Sequence, residues 1–431
     1  MYVIYNFLIT LFFIFAFPYY IVRILFTRKY RAGLKERLGF INYRLDKLNP
    51  SRKRIWIHAV SVGETIAASL LIKRIRELWP DAILILTTVT ETGNRTAKEK
   101  IKEADIIAFF PLDFSWSVRS FKNRLKPDLC IVMETELWPN FLRIVSGNST
   151  PILIVNGRLS EKSYRGYKFG KSFFNKVLKN ISAFSMQTDS DAGRIAALGA
   201  EKSKIYVTGN LKFDQVFMAS SQIDEDIKAD LMIPGDCKVL VFGSTHRGEE
   251  EILVKVYKKL LSRFKNLFFI IAPRHPERFR EVEDILSKNS VSFCRRTMLK
   301  EEEVIKTDAM LLDTIGELPK IYSIASVVFI GGTLVPVGGH NILEPAVFKK
   351  PVLFGKYMHN FREIAELFVN SGGGIQVRDP SEIEERISDL LSNPEKGEEI
   401  GRVAYSLFEK NLGATDRTLE LIKKFFPVGL K

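Results

Sequence analysis

The stretch RIWIHAVSVGETIAASLLIKRIREL, residues 54 to 78, changes its period in the middle. Its opening RIWIHAV is an apolar run of the kind a strand covered on both faces requires, whereas IAASLLIKRIREL places apolar residues at helical spacing with a basic outer face. Glu64 stands at the handover, at a strand's carboxyl end and beside a helix N-terminus. In open α/β sheets that edge is where ligands bind. A plainer role for Glu64 is to complement the helix dipole, worth about 0.3–1 kcal/mol; position alone does not separate the two.

The same alternation runs outward from this stretch. To about residue 210 the strand candidates are RIWIHAV, AILILTT, IIAFF, LCIVM, ILIV and IYVTG, each followed by a helical segment, as in a parallel sheet flanked by helices. The pattern dissolves over residues 212–236, which read as a linker with one stray helix, and resumes with KVLVFGS, LFFIIAP, AMLLD, SVVFIGG and PVLFG. The expected organisation is an N-terminal segment (1–27), a Rossmann-like domain (28–211), the linker (212–236) and a second Rossmann-like domain (237–431) whose last helix returns to the first. Two such domains facing across a cleft are the arrangement of GT-B glycosyltransferases and of sugar-nucleotide 2-epimerases, which fold alone cannot separate. GxGxxG, GxxxxGKS and GxSxG are absent from strand-turn-helix context, which removes the main support for dinucleotide, P-loop and serine-hydrolase readings.

Composition narrows the partners. A chain of 431 residues with 46% hydrophobic and 26% charged residues is globular and long enough for two or three domains. Its formal charge of +14 calls for something anionic. Cys130, Cys237 and Cys294 are widely spaced and odd in number, so neither a disulfide framework nor a zinc site is indicated, and a reducing compartment fits. MYVIYNFLITLFFIFAFPYYIV carries no charge before Arg23 and would cover roughly 30 Å as a helix, the reach of a membrane anchor. Basic residues follow it, which by the positive-inside rule keeps the body cytoplasmic; Pro18 and Tyr19-Tyr20 leave open a helix lying in the interface. Phenylalanines interleave with lysines in KSFFNKVLKN, but no RNA- or DNA-binding signature accompanies them, so anionic lipid is the simpler partner and nucleic acid is not expected.

Four loops of the second half begin where strands end: FGSTHRGEEE, IAPRHPERF, LLDTIGELPKIY and IGGTLVPVGGHNILEPA. Glycines let amides approach an oxygen-rich ligand, and a helix N-terminus offers free N–H groups to a phosphate, so together the loops describe a nucleotide pocket. Asn341 with Glu344 also has the spacing of a capping pair. Arg274, held between Pro273 and Pro276, is favoured as a ligand contact over a surface ion pair. Asp189 and Asp191 open a helical stretch, where capping outweighs a cation site; no metal and no cofactor are expected.

HAVSVGE, TTVTETG, PLDFSWSVRSFKNRLKPDLCIVMETELWPN, GNLKFD, APRHPERF and GGTLVPVGGHNILEPAVFKKPVLFGKYMHNF together closely resemble the 3-deoxy-D-manno-octulosonate (Kdo) transferases of lipopolysaccharide synthesis, over nearly the whole chain. The resemblance implies a GT-B glycosyltransferase that moves Kdo from CMP-Kdo to a lipid A precursor, lipid IVA, at the cytoplasmic face of the inner membrane. It places the catalytic base on Glu64 and two transition-state stabilisers on Glu134 and Lys212. It places CMP contacts on Pro273 and Arg274, on Gly316, Glu317 and Leu318, and on Asn341, Ile342, Leu343 and Glu344. Glu134 and Glu136, two apart, would point to opposite faces of a strand, so only one is expected in the site. The competing readings are a sugar-nucleotide epimerase on the same fold and a non-catalytic protein that binds anionic lipid.

Overall fold

In the computed structural model, residues 1–26, 32–41, 51–147, 149–220, 227–299 and 307–427 are described. The chain divides into two compact units, Met1–Gln215 with Gly413–Lys431, and Val216–Leu412. The division falls within the helix Leu211–Ser220, inside the segment read as a linker, and the last helix, Ala414–Phe425, belongs to the first unit.

The first unit is built on seven parallel strands: β1 (Arg54–His58), β2 (Ile83–Thr88), β3 (Ile106–Phe109), β4 (Leu129–Met133), β5 (Ile152–Gly157), β6 (Ala183–Met186) and β7 (Ile205–Val207). Their order is β3-β2-β1-β4-β5-β6-β7. Because side chains alternate, each strand feeds two cores. Trp56, Ile83, Ile85, Cys130, Val132 and Ile154 face one, and Ile55, Ile57, Leu84, Leu86, Ile131 and Leu153 face the other. The Ala414–Phe425 helix completes the second core with Ala414, Leu419, Leu421 and Ile422. Asp214 ties it down by accepting from the amides of Gly413 (2.7 Å) and Thr415 (2.5 Å).

The second unit repeats the plan with β8 (Lys238–Thr245), β9 (Leu267–Pro273), β10 (Phe293–Arg295), β11 (Ala309–Leu311), β12 (Val327–Ile330), β13 (Val352–Phe354) and β14 (Ile375–Gln376), ordered β10-β11-β9-β8-β12-β13-β14. In both sheets the winding reverses beside the first strand, between β1 and β4 and between β8 and β12. Ligands collect at such a switch point, beyond the strands' carboxyl ends.

The expected spanning anchor finds no support in the described residues. A helix forms over Tyr2–Phe26, but among the described residues no helix is long and apolar enough to cross a membrane. Tyr2, Tyr5, Asn6 and Phe13 recur at helical spacing and dock on the first unit. Tyr5 stacks on Phe173 and donates its hydroxyl to Asp113 (2.8 Å), Phe13 meets Phe114 edge-on, and Asn6 exchanges amide hydrogen bonds with Asn140. These partners convert one face of an apolar segment into a protein contact. Val3, Phe7, Phe12 and Phe15, on the rest of the helix, stay exposed.

Candidate active site

In the first unit the site grows from the ends of β1 and β4. Ser61 takes the N-cap position of the helix Val62–Leu78, which makes Glu64 the third residue of its first turn. One Glu64 oxygen accepts from the Val60 amide (2.8 Å) and the other from the Ser61 hydroxyl (2.9 Å). The helix-start role is therefore real, yet it fills only half of the carboxylate's acceptor capacity. The carboxyl is buried, 7% exposed, and burial followed by the nearby charge of Glu134 pushes its pKa from 4.5 to about 7, against the two hydrogen bonds. The loop carrying it is fixed by Val60, whose carbonyl accepts from the amides of Val89 and Thr90 in the TTVTETG motif.

Glu134 follows β4, the neighbour of β1, in a left-handed conformation (φ 55°) held by its amide bond to the Val155 carbonyl (2.8 Å). Neither Glu134 nor Glu136 lies in a strand, so the expected alternation of faces does not apply. Both act on Glu64 electrostatically, and Glu136 is itself raised to about 7 by burial and by Glu134. Lys212 is the second residue of the helix after β7, Leu211–Ser220. Its amide donates to the Asn210 side chain, and the preceding amide, of Leu211, donates to Asn156 Oδ1 (3.0 Å). Gln187 bridges Asn210 and the Asn156 carbonyl. Asn156 and Gln187, from the ends of β5 and β6, thus seat the lysine turn. Sequence reasoning missed both, although Asn-Gly at the end of an apolar run was a visible signal. Asn156 Nδ2 is buried with no hydrogen-bond partner among the described residues. His58, inside the HAVSVGE motif, is a core residue: it stacks on Phe110, binds Thr87 through Nδ1, and burial lowers its pKa to about 3.

In the second unit the loops after β8, β9 and β12 converge. Pro273 ends β9 in register with Thr245, and the Arg274 amide donates to the Thr245 carbonyl (3.0 Å) while its side chain is exposed. Asn341 accepts from the Leu343 amide (3.2 Å) and donates to Glu344 (3.3 Å), but Ile342 takes the N-cap position, so the two residues are bonded to each other without forming the expected capping pair. Burial raises the Glu344 carboxyl to about 7, against the Asn341 bond and the charge of Arg274, which brings the APRH and GGHNILEP loops to one place. Ile342 and Leu343 are buried. The Gly316-Glu317-Leu318 turn is open around Gly316 (φ 92°), but Glu317 is engaged by Arg296 (3.3 Å) and by the Thr314 hydroxyl.

Two expectations about phosphate need correction. The helix following Asn341 is a single turn, Leu343–Ala346, too short to act as the helix N-terminus expected to meet a phosphate. The amides of the first glycine pair are already taken: Gly331 donates to Gly243, while Gly332, Thr333 and Leu334 all donate to the buried carboxylate of Glu249. At the second pair, the Gly339 amide donates to Gly332. Asp189 and Asp191 hold no open pair either, since Thr188 is the N-cap and Asp191 binds the Leu159 amide and the Thr188 hydroxyl. Among the described residues no group of three or more His, Cys, Asp or Glu side chains is placed to hold a metal ion.

Two doubly wound parallel-sheet units in succession define a GT-B-type α/β protein. The fold is that of a UDP-GlcNAc 2-epimerase from Neisseria meningitidis (TM-score 0.60, 15% identity, 86% of this chain and 100% of that one) and of a glycosyltransferase from Rickettsia africae (TM-score 0.58, 13% identity, 88% and 99%). At those identities the likeness concerns fold alone. The sequence goes further. The family model described as 3-Deoxy-D-manno-octulosonic-acid transferase (kdotransferase) matches residues 32–215. The 3-deoxy-D-manno-octulosonic acid transferase of Haemophilus influenzae is 37% identical over 399 residues, 92% of each chain, and that of Chlamydophila psittaci 32% over 429 residues, 98% of this chain and 97% of that one. The chain belongs to the 3-deoxy-D-manno-octulosonic acid transferase family and is a glycosyltransferase.

Proposed function

We propose that the chain transfers Kdo from CMP-Kdo to a lipid A precursor, lipid IVA, with inversion at the anomeric carbon and with Glu64 as general base. The observation that carries the reading is a buried, half-satisfied carboxyl at the sheet's switch point with a pKa near neutrality. A sugar hydroxyl is a weak nucleophile at neutral pH, and a base matched to the working pH is the efficient remedy. The acceptor oxygen forms its bond to the anomeric carbon, its proton passes to Glu64, and the bond to the phosphate breaks with its electron pair leaving on CMP. Lys212 and Glu134 are assigned to the charge that develops at the sugar. Arg274 is assigned to the departing phosphate, and Pro273, Gly316, Glu317, Leu318 and the run Asn341 to Glu344 to the nucleotide.

The acceptor's acyl chains need a bilayer. The exposed apolar face of the N-terminal helix, with Phe7, Phe12 and Phe15, supports seating on the cytoplasmic side of the inner membrane as a helix lying in the interface. The positive balance of the chain supports attraction to anionic lipid and to the acceptor's phosphates. The test is mass analysis of lipid IVA incubated with CMP-Kdo and the full chain. Addition of Kdo mass supports the reading. An unchanged acceptor, or a free isomerised sugar released without acceptor, refutes it.

A further inference from the structure

His246 and His340 belong to none of the roles assigned above, yet they meet at the second unit's switch point. His246 follows β8 and His340 lies in the loop after β12, the strand beside it. Their Nε2 atoms are 2.8 Å apart with ring planes within 9°. At that separation one nitrogen must donate and the other accept, so the pair shares a single proton across the contact, and two N–H groups cannot face each other.

The placement is built, not incidental. The His246 amide donates to Glu249 (2.9 Å), the same carboxylate that collects the Gly332, Thr333 and Leu334 amides. Both loops are therefore fixed to one acid. Gly332 sits beneath the rings at φ 68°, where an added Cβ would come within 3.0 Å of His340 and 3.3 Å of His246.

The charges around the pair are mostly positive. His275 meets His246 edge-on at 5.2 Å, and Arg274 and Arg278 act on it from the β9 loop. The acids nearby are occupied: Glu249 by four amides, Glu250 by Arg278 (2.5 Å), Glu281 by Arg247 and Arg278, and Glu344 by Asn341. Burial first, and then the neighbouring histidines and arginines, hold His246 down to about 4 and His340 to about 3, so the pair is neutral while the rim is empty.

We propose that the His246–His340 pair takes up one proton from solvent when a nucleotide phosphate occupies this rim, and that the shared monocation then faces the phosphate. The inference rests on the nucleotide reading of the second unit. An anion reverses the sign of the local field, and the pair is built to hold one added proton and no more.

The experiment is calorimetry of the full chain with CMP in buffers of unequal ionisation heat at about pH 7, with cytidine as the phosphate-free control. The expected result is a net uptake of roughly half to one proton per CMP, lost in both His340→Gln and His246→Gln and absent with cytidine. Histidine Cε1–H resonances followed with and without CMP give the same answer on the unaltered chain, so the outcome does not hang on a variant's folding. CMP binding with no uptake, or with undiminished uptake in both variants, overturns this inference alone. No binding of CMP overturns the nucleotide reading and this inference with it.

Discussion

Replacing Glu64 by Gln separates the cost of the carboxylate proposed as base from its use. Folding raises this group from 4.5 to about 7, so the folded protein binds its proton more tightly than the unfolded chain does. The ionised form is then destabilising: the penalty is absent well below pH 4.5, builds as pH rises from there, and is complete above 7. It amounts to about 3 kcal/mol at about pH 8.5 and about 1 kcal/mol at about pH 5.5. Glutamine is neutral and keeps the local bonds, because one oxygen still accepts from the Val60 amide while the Ser61 hydroxyl turns to accept from the new N–H. Glu64→Gln is therefore expected to stabilise the protein, by more at high pH than at low, while turnover falls about 10²–10⁴-fold. Denaturant unfolding at the two pH values, read beside transfer assays with CMP-Kdo as donor, checks both halves. A variant that is less stable at high pH, or one that turns over normally, would refute the reasoning.

The unaltered enzyme should show kcat/KM rising with pH through about 7 and then levelling, because Glu64 must be ionised to accept a proton; a flat profile over that range counts against the base. Glu134→Gln removes a like charge, so the same rising limb should move to lower pH, whereas a limb that stays put or moves up shows the coupling to be negligible. Asp214→Ala strips the acceptor from the Gly413 and Thr415 amides and should cost about 1–3 kcal/mol in denaturant unfolding, with an unchanged midpoint the contrary result. Gly331→Ala would bring a Cβ to 2.4 Å from the Ser244 carbonyl, forcing β8 and β12 apart; a loss of about 1–3 kcal/mol and weaker CMP binding are expected, and wild-type affinity would contradict that account.

Strands were legible where both faces are buried and the chain reads as a continuous apolar run, as in RIWIH and LCIVM. AFSM, residues 183–186, escaped because its buried Ser185 looks polar until its partner is known, and that partner is Thr208 at 2.5 Å. FCR and IQ escaped for the opposite reason: they are edge strands, only partly buried, and carry too little apolar signal. The N-terminal helix was legible as a helix but not as a docked one. Its partners Asp113, Asn140 and Phe173 lie more than a hundred residues away, and nothing in a local pattern points to them. Glu64 stood out by its place between strand and helix, but its role, like the choice of Glu134 and Lys212, entered through a family likeness. The property that makes Glu64 usable, its raised pKa, depends on burial and on a second carboxylate from the turn after another strand, which no spacing along the chain displays.

The contrast between Glu64 and Glu249 says where chemistry is to be sought. Both are buried acids at the start of the helix that follows the first strand of a doubly wound sheet, and both accept from a backbone amide just upstream. Glu249 gathers four backbone amides, so its lone pairs are filled and its charge binds the β8 and β12 loops together; it has no capacity left for a substrate proton. Glu64 receives two donors and faces the charges of Glu134 and Glu136, an arrangement that a purely structural acid would not tolerate without a compensating use. A buried carboxylate left half satisfied beside others of its own sign is destabilised in its charged form, and in the proposed reaction a hydroxyl proton relieves it.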